Sequence, residues 1–185
     1  SNAQIAGGLI GSVNNADVTL GVEVSGTVNT ASMRNTIKTV NEDGLTCYAG
    51  GLIGGAINSS IILNGNTDDA TLKATMTINV LNSNDSKEES AAGGIVGYMF
   101  GTSFTSNLKM EITTGLGTST AEGDYVGGLF GYMSNGIFTS TKDIKYTTTA
   151  KGKYVGGFAG YMDSMECNIE GTVTANSVLI GNYAG

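Results

Sequence analysis

Apolar residues alternate with polar ones at every second position in several stretches of the chain. Val18, Leu20 and Val22 show this pattern near the start, and Met110 and Ile112 continue it in the middle. A period of two is typical of β-strands that bury one face. No segment of ten residues has the apolar spacing of three and four that predicts a helix. The pattern therefore predicts an all-β chain.

A six-residue glycine motif recurs between these stretches, and its glycines are kept while its neighbours vary. The first copy is 6–11, Ala-Gly-Gly-Leu-Ile-Gly, and the others lie at 49–54, 92–97, 126–131 and 155–160. Such repetition indicates that one backbone geometry recurs in each unit of a stacked array. The glycines to which we assign this structural role are Gly8, Gly11, Gly51, Gly54, Gly94, Gly97, Gly128, Gly131, Gly157 and Gly160.

Aligning the copies on their second glycine produces columns of similar residues beyond the motif. Successive second glycines are 43, 43, 34 and 29 residues apart. The alignment predicts one domain over 4–185, with repeats that start near residues 4, 47, 90, 124 and 153 and a truncated sixth from 182. Residues 1–3, Ser-Asn-Ala, are typical of the remnant of a cleaved expression tag.

A unit of about 29 residues with short strands is what one coil of a parallel β-solenoid requires. We therefore predict about five coils, with like side chains stacked over like. The inserted stretches near 29–45, 64–69, 82–90 and 114–124 are expected to leave the coils as loops. An antiparallel β-sandwich is the alternative; it accounts for the alternation but not for columns in register. The motif glycines could serve a bend, a positive φ or the close approach of a neighbouring layer.

Residues 8–11, Gly-Leu-Ile-Gly, and their four counterparts resemble the GLUG motif, a repeat named for Gly-Leu-hydrophobic-Gly. This motif occurs in bacterial secreted and surface-exposed proteins, including adhesin-like proteins and the accessory region of some IgA-cleaving metallopeptidases. The resemblance covers essentially the whole chain after residue 3, with Ile95 and Phe158 departing from the leucine position. It implies a repetitive extracellular or cell-surface module, and it carries no catalytic residues to this sequence.

Composition restricts the chemistry available to the chain. The 185 residues include 29 Gly but no His, Pro or Trp, and the net charge is −7. Without His, the commonest general base and zinc ligand are missing, which argues against most hydrolase mechanisms. The basic residues are too scattered to form a nucleic-acid-binding face, and no apolar run reaches the roughly 20 residues of a membrane helix. We expect no enzyme, catalytic residue, metal site or cofactor here, no nucleic-acid partner and no membrane insertion.

Paired carboxylates are the remaining candidates for chemistry, and all fall in predicted loops. Beside Asn, Gly or Ser they are expected to be solvated turn residues. The pairs are Glu42-Asp43, Asp68-Asp69, Glu88-Glu89 and the looser Glu122 and Asp124.

Tyrosines fall into two columns of the alignment. If they stack on an outer face, they form an aromatic strip that could bind sugar rings or anchor a partner protein. The alternative is an aromatic ladder that stiffens the solenoid. The candidate ligand-binding residues are Tyr98, Tyr132 and Tyr161 in one column and Tyr125 and Tyr154 in the other.

The two cysteines fall in different columns, three coils apart. Three coils are about 15 Å of axis, which exceeds the limit of roughly 7 Å between the Cα atoms of a disulfide. We predict two free thiols, with Cys167 buried in an apolar column and Cys47 among polar positions.

The leading functional hypothesis is a non-catalytic repeat segment of a bacterial cell-surface or secreted protein. It would serve as an adhesin body or stalk that presents loops to a glycan or a host surface protein, attached to the remainder of a longer chain. One alternative is a scaffold domain of a larger secreted enzyme such as a peptidase. Another is a carbohydrate-active β-solenoid enzyme.

Overall fold

The computed structural model describes residues 5–23, 30–41, 46–82, 90–115 and 121–185. These residues form strands joined by bends and turns, with no helix among them. The strands build two sheets in which every pairing is parallel. The strands of the first sheet are β1 (Ile5–Gly7), β4 (Thr30–Asn41), β5 (Cys47–Gly50), β8 (Thr71–Asn82), β9 (Ser90–Gly93), β12 (Lys109–Thr114), β13 (Ala121–Gly127), β15 (Ile144–Gly156) and β17 (Val173–Ala184).

The second sheet faces the first across the core. In chain order its strands are β2 (Ile10–Asn14), β3 (Asp17–Val22), β6 (Ile53–Ile57), β7 (Ser60–Gly65), β10 (Val96–Phe100), β11 (Ser103–Ser106), β14 (Phe130–Ser140) and β16 (Ala159–Ile169). Each coil runs once along each sheet. In the later coils each run is one long strand, such as β14 or β15, whereas earlier coils divide it into two.

Strand register confirms the parallel β-solenoid and rules out the antiparallel sandwich. The predicted column of Tyr125 and Tyr154 is a continuous ladder that reaches back to Tyr48, because Tyr125 and Tyr48 both pair with Ala91 between them. Tyr125 then pairs with Tyr154, which pairs with Tyr183. Parallel stacking of equivalent residues explains why five copies of one sequence pattern stay aligned.

The glycine motif forms the corner where the chain passes from the first sheet to the second. A Cβ on the first glycine of a copy, such as Gly50, would lie within 2 Å of the carbonyl oxygen of Ile53. A Cβ on the second, Gly94, would lie 2.1 Å from the carbonyl oxygen of Gly128 in the next coil. Among the described residues the only glycines with positive φ are Gly101 and Gly115, both outside the motif. Close approach of backbone at a tight corner, rather than a left-handed conformation, is therefore what the motif requires.

A second corner lies midway along the second sheet, where one residue of each coil has positive φ. The positions are Asn15, Asn58, Gly101, Asn135 and Ser164. Asn and Gly adopt this conformation at low cost, so one repeated backbone conformation explains why they occupy four of these five positions.

Apolar side chains from both sheets fill the space inside the coils. Three fully buried rings, Phe104, Phe130 and Phe138, contact one another with centroids 5.1 to 5.9 Å apart. Met99 and Met133 are also fully buried, whereas Met162, at the equivalent position of β16, is 44% exposed. In the described structure β16 and β17 have a neighbouring coil on one side and their other edge is open.

Several sequence predictions fail in this fold. The stretch 29–45 was expected to be a loop, yet β4 occupies Thr30–Asn41 and pairs with β8 along its whole length. Cys167 was expected to be buried but is exposed, because it lies in the coil with the open edge. Both cysteines are free thiols, and Cys47 is buried in β5 rather than lying among turn residues.

The other predicted loops are tested only in part. Residues 66–69 form the expected turn between β7 and β8. Residues 83–89 and 116–120 lie outside the described residues. The end of the predicted loop 114–124 is wrong, because 121–124 belong to β13.

Candidate functional site

Seven of the chain's eight tyrosines gather at the glycine-motif corner of the solenoid. One stack runs along the axis through Tyr98, Tyr132 and Tyr161, with centroids 5.2 and 4.9 Å apart and planes within 14°. A second stack joins Tyr125 to Tyr154 at 5.2 Å. We call these rings, with Tyr48 and Tyr183, the tyrosine corner.

The two stacks meet, so all five predicted tyrosines form one cluster. Tyr125 contacts Tyr132 at 5.4 Å with the rings nearly perpendicular, and it contacts Tyr161 at 5.3 Å. Tyr125 is buried, whereas Tyr161 is 38% exposed. Edge and stacked contacts of this kind contribute roughly 0.5–1.5 kcal/mol per pair beyond burial. The corner therefore has both a rigid base and an accessible outer side.

Sequence reasoning left Tyr48 and Tyr183 out of this site. Tyr183 continues the second stack, 4.8 Å from Tyr154. Tyr48 belongs to the second column by register but stacks on Tyr98 of the first, at 4.4 Å. The cause is a pair of small residues: Gly55 pairs with Tyr98, and Ala91 pairs with Tyr48. Gly55 places no ring beside Tyr98, and the ring of Tyr48 stacks on Tyr98 instead.

Ala91 supplies no ring to the second stack, and it is fully buried. Its ladder neighbours are Tyr48 and Tyr125, and Tyr48 leans away towards Tyr98. A notch of about 130 Å³ opens there, lined by Tyr48, Ala91, Tyr98, Tyr125 and Tyr132. No charged side chain is among its lining residues.

Hydrogen bonds join the two strands that frame the notch. The Asp124 carboxylate accepts from the backbone N–H of Ser90 at 2.9 Å and from its hydroxyl at 3.0 Å. The Asp124 N–H donates in return to the Ser90 hydroxyl oxygen at 2.9 Å. Asp124 was expected to be a solvated turn residue, but it lies in β13 and is half-buried. Ser90 and Asp124 immediately precede Ala91 and Tyr125, so these hydrogen bonds fix the relative positions of Ala91 and Tyr125.

The phenol of Tyr98 is held in its neutral form. Burial, and then its neighbours Tyr48 and Tyr132, raise its pKa above the ordinary value of 10.0. A neutral phenol both donates and accepts hydrogen bonds at physiological pH. On the outer part of the corner, the Lys153 ammonium lies 5.2 Å from the centroid of the Tyr154 ring, in range of a cation–π interaction.

The described carboxylate pair in the 66–69 turn acts as a bridge between coils. Asp69 accepts a hydrogen bond from Lys109 at 2.9 Å, and Asp68 accepts one from Lys142 at 3.0 Å. A polar cleft of about 510 Å³ adjoins this turn. The pairs Glu42-Asp43 and Glu88-Glu89 lie outside the described residues, as does the Glu122 side chain.

Across the described part of the chain, no three Cys, Asp or Glu side chains gather in a metal-binding arrangement. Comparison with protein-family models, curated proteins and solved structures finds no match to this chain. In the described ranges no helix is long and apolar enough to cross a bilayer. The tyrosine corner is thus the candidate site defined by geometry alone.

Proposed function

We propose that this chain is a non-catalytic segment of a bacterial cell-surface or secreted protein that binds glycan through its tyrosine corner. The proposed class of protein rests on the resemblance of the five glycine motifs to the GLUG motif. In its most specific form, the proposal is that the chain forms the body of an adhesin. A rigid array of aromatic rings on one corner of an otherwise Thr- and Ser-rich surface is the observation that carries it.

Aromatic rings suit sugar binding because a pyranose presents an apolar C–H face to the negative ring face, while its hydroxyls can bond to nearby polar groups. Tyr98, Tyr132 and Tyr161 add phenol groups to the stacked rings. The rings stack on one another along paired strands, so little side-chain entropy remains to be lost on binding. A solenoid repeats this arrangement from coil to coil, which suits an extended saccharide.

A glycan array probed with the labelled chain tests the proposal. We expect binding to neutral glycans that weakens about tenfold or more in Tyr161→Ala, since one anchoring ring is typically worth about 1–2 kcal/mol. Phe100→Ala is the matched control. The exposed fraction of Phe100, 37%, is nearly the same as that of Tyr161, but Phe100 is not part of the tyrosine corner. Equal loss in both variants, or no glycan bound at all, would contradict the proposal.

A host surface protein is the alternative ligand for the same corner. A scaffold segment of a larger secreted enzyme is the alternative role, and the burial of Tyr125 favours it, since a buried ring stiffens the corner. In that case Tyr125→Leu lowers stability, and Tyr161→Ala changes no binding. Turnover of a polysaccharide by the chain alone would instead indicate a carbohydrate-active enzyme.

A further inference from the structure

We propose that the open edge of the last coil, formed by β16 and β17, binds the first coil of a second copy of this chain, head to tail. The partner surface is the edge formed by β1, β2, β3 and β4, which in the described structure has a neighbouring coil on one side only. This inference is independent of glycan binding and goes beyond the proposed function.

Core positions are uncovered at the edge of the last coil. Met162 of β16 is 44% exposed and Val173 of β17 is 41% exposed. Their register partners one coil earlier, Met133 and Ile144, are fully buried. The difference arises because Met133 and Ile144 have a coil on both sides, whereas the last coil has one on a single side. Another coil on this edge would remove the apolar side chains from water, which favours association.

The first coil carries apolar residues in the same columns as the last. Each ladder that ends in β16 or β17 can be followed, pairing by pairing, back to the first coil. A second copy that continues this register therefore places apolar side chains on apolar side chains along both sheets. The predicted contacts are Met162 with Val13, Cys167 with Val18, Ile169 with Leu20, and Val173 with Ala31.

Backbone polarity at the glycine-motif corner favours this head-to-tail arrangement over a symmetric one. The N–H groups of Leu129 and Phe130 both donate to the carbonyl oxygen of Phe158 in the next coil, and the earlier corners repeat this pattern. The equivalent donors of the last coil are the N–H groups of Phe158 and Ala159, and the equivalent acceptor of the first coil is the Leu9 carbonyl. Two last coils placed face to face would instead bring donors against donors, which is costly when they are buried.

The size of the open edge fits a stable interface. β17 contains 12 residues, so it runs for about 40 Å, and two packed sheets with their outer side chains are about 20 Å across. The end of the solenoid therefore offers about 800 Å² to a partner, the area of a standard protein interface. Because the two surfaces that meet are different, each stacked copy still has an open end, and association continues into a filament.

One pair of carboxylates opposes the stacking and provides a sharp variant. Glu166 ends the ladder that begins at Asp17, so the two would adjoin across the interface. Like charges at such positions are destabilising, so Glu166→Gln should tighten association by about two- to fivefold. Glu111→Gln is the control, because it changes the net charge equally but lies in β12, away from both ends.

A cysteine crosslink tests the register. Within one copy, residues 18 and 167 are four coils apart, about 19 Å, which is too far for a disulfide. Across the proposed interface they would be neighbours about 4.8 Å apart, within range of one. With diamide as the oxidant, Val18→Cys should therefore give a series of disulfide-linked oligomers on a non-reducing gel. Thr19→Cys, on the opposite face of the same strand, is the control and should give none.

Sedimentation velocity of the whole chain from about 1 μM to about 500 μM measures the association, for which we expect a micromolar Kd or tighter and a mean mass that rises without a plateau. Met162→Lys places a charge in the interface and should weaken association by at least about tenfold. Phe100→Lys is the control, because β10 has a neighbouring strand on both sides. Circular dichroism verifies the fold of each variant.

Three results would overturn the inference. A strict monomer over the whole concentration range would show that no second copy covers this edge. A plateau at the dimer mass, with Cys167 of one copy crosslinked to Cys167 of its partner in the wild-type chain, would indicate a symmetric contact instead. Equal crosslinking of Val18→Cys and Thr19→Cys would exclude the proposed register.

Discussion

Gly97→Ala tests whether close backbone approach is what the glycine motif requires. Gly97 is the last glycine of the third motif copy, and a Cβ there would lie 2.7 Å from the N, C and O atoms of Ala49. Ala49 lies in β5, which is paired on both sides, with β1 and with β9. A backbone held from two directions cannot move aside at low cost, so the extra methyl must strain the corner.

The same substitution in the first coil provides a matched control. A Cβ on Gly11, at the equivalent motif position, would find its nearest atom 3.9 Å away, which is ordinary contact. Gly11→Ala should therefore be neutral or add about 0.5–1 kcal/mol of stability by restricting the unfolded chain. For Gly97→Ala, an overpacking cost of about 3 kcal/mol exceeds that gain and leaves a net loss of about 2 kcal/mol.

Thermal unfolding followed by far-ultraviolet circular dichroism measures the difference. For a chain of this size, 2 kcal/mol corresponds to a fall in Tm of roughly 4–8 °C for Gly97→Ala, with no fall for Gly11→Ala. A urea titration of the same two variants gives an independent midpoint. Equal Tm values for the two variants would refute the reasoning, because the contact with Ala49 would then carry no cost.

Three further measurements probe other parts of the solenoid. Ser164→Asn, at a position with φ 52°, should raise the free energy of unfolding by roughly 0.5–1 kcal/mol, since Asn tolerates this conformation better than Ser. A urea titration measures it, and a lowered midpoint would contradict this. A thiol reagent should label the exposed Cys167 in the native chain and the buried Cys47 only after unfolding; two labels in the native chain would count against the fold. Labelling of Cys167 should be faster as pH rises, because partial desolvation in β16 raises its thiol pKa above 9.0. The hydrogen bond from Lys109 lowers the pKa of Asp69 below 3.8, so Asp69→Asn should reduce the free energy of unfolding at about pH 6. This difference from wild type should vanish as the pH falls to about 2, where Asp69 is protonated in both states. A difference that persists there would exclude the ion pair as its cause.

The repeat architecture was predictable because a parallel solenoid places equivalent residues over one another. Five motif copies with aligned apolar columns contain enough information to give the register, and the pairings of Met99 with Ala56 and Met133 follow the alignment. Asn and Gly occupy four of the five positive-φ positions of the second corner, so these residue types mark its turns. The structural role of the motif glycines could not be predicted, because a bend and a close approach of backbone both select glycine.

Strand β4 was missed because a polar residue interrupts its inward face. Ala31, Met33 and Ile37 alternate correctly, but Asn35 stands between them. Its side-chain amide donates to the carbonyl oxygen of Gly51 at 3.3 Å, so the corner itself satisfies the inward amide. A pattern search that scores only apolar residues reads such a strand as a loop.

The composition of the tyrosine corner was predicted better than its geometry. Alignment assigns Tyr48 to one column, and only its ring contact with Tyr98 shows that it joins the other. The notch has the same origin, because it depends on where a neighbouring side chain leans. The exposure of Cys167 likewise depends on its position in the stack rather than on its column.

The coil from Tyr125 to Tyr154 contains 29 residues, and this number determines the axial length that a given chain length can span. One coil adds about 4.8 Å of axial length, whereas the same residues fully extended would span about 95 Å. A chain built this way gains width and stiffness at the expense of length. Such a module is better suited to holding a binding face rigid than to carrying that face away from a surface.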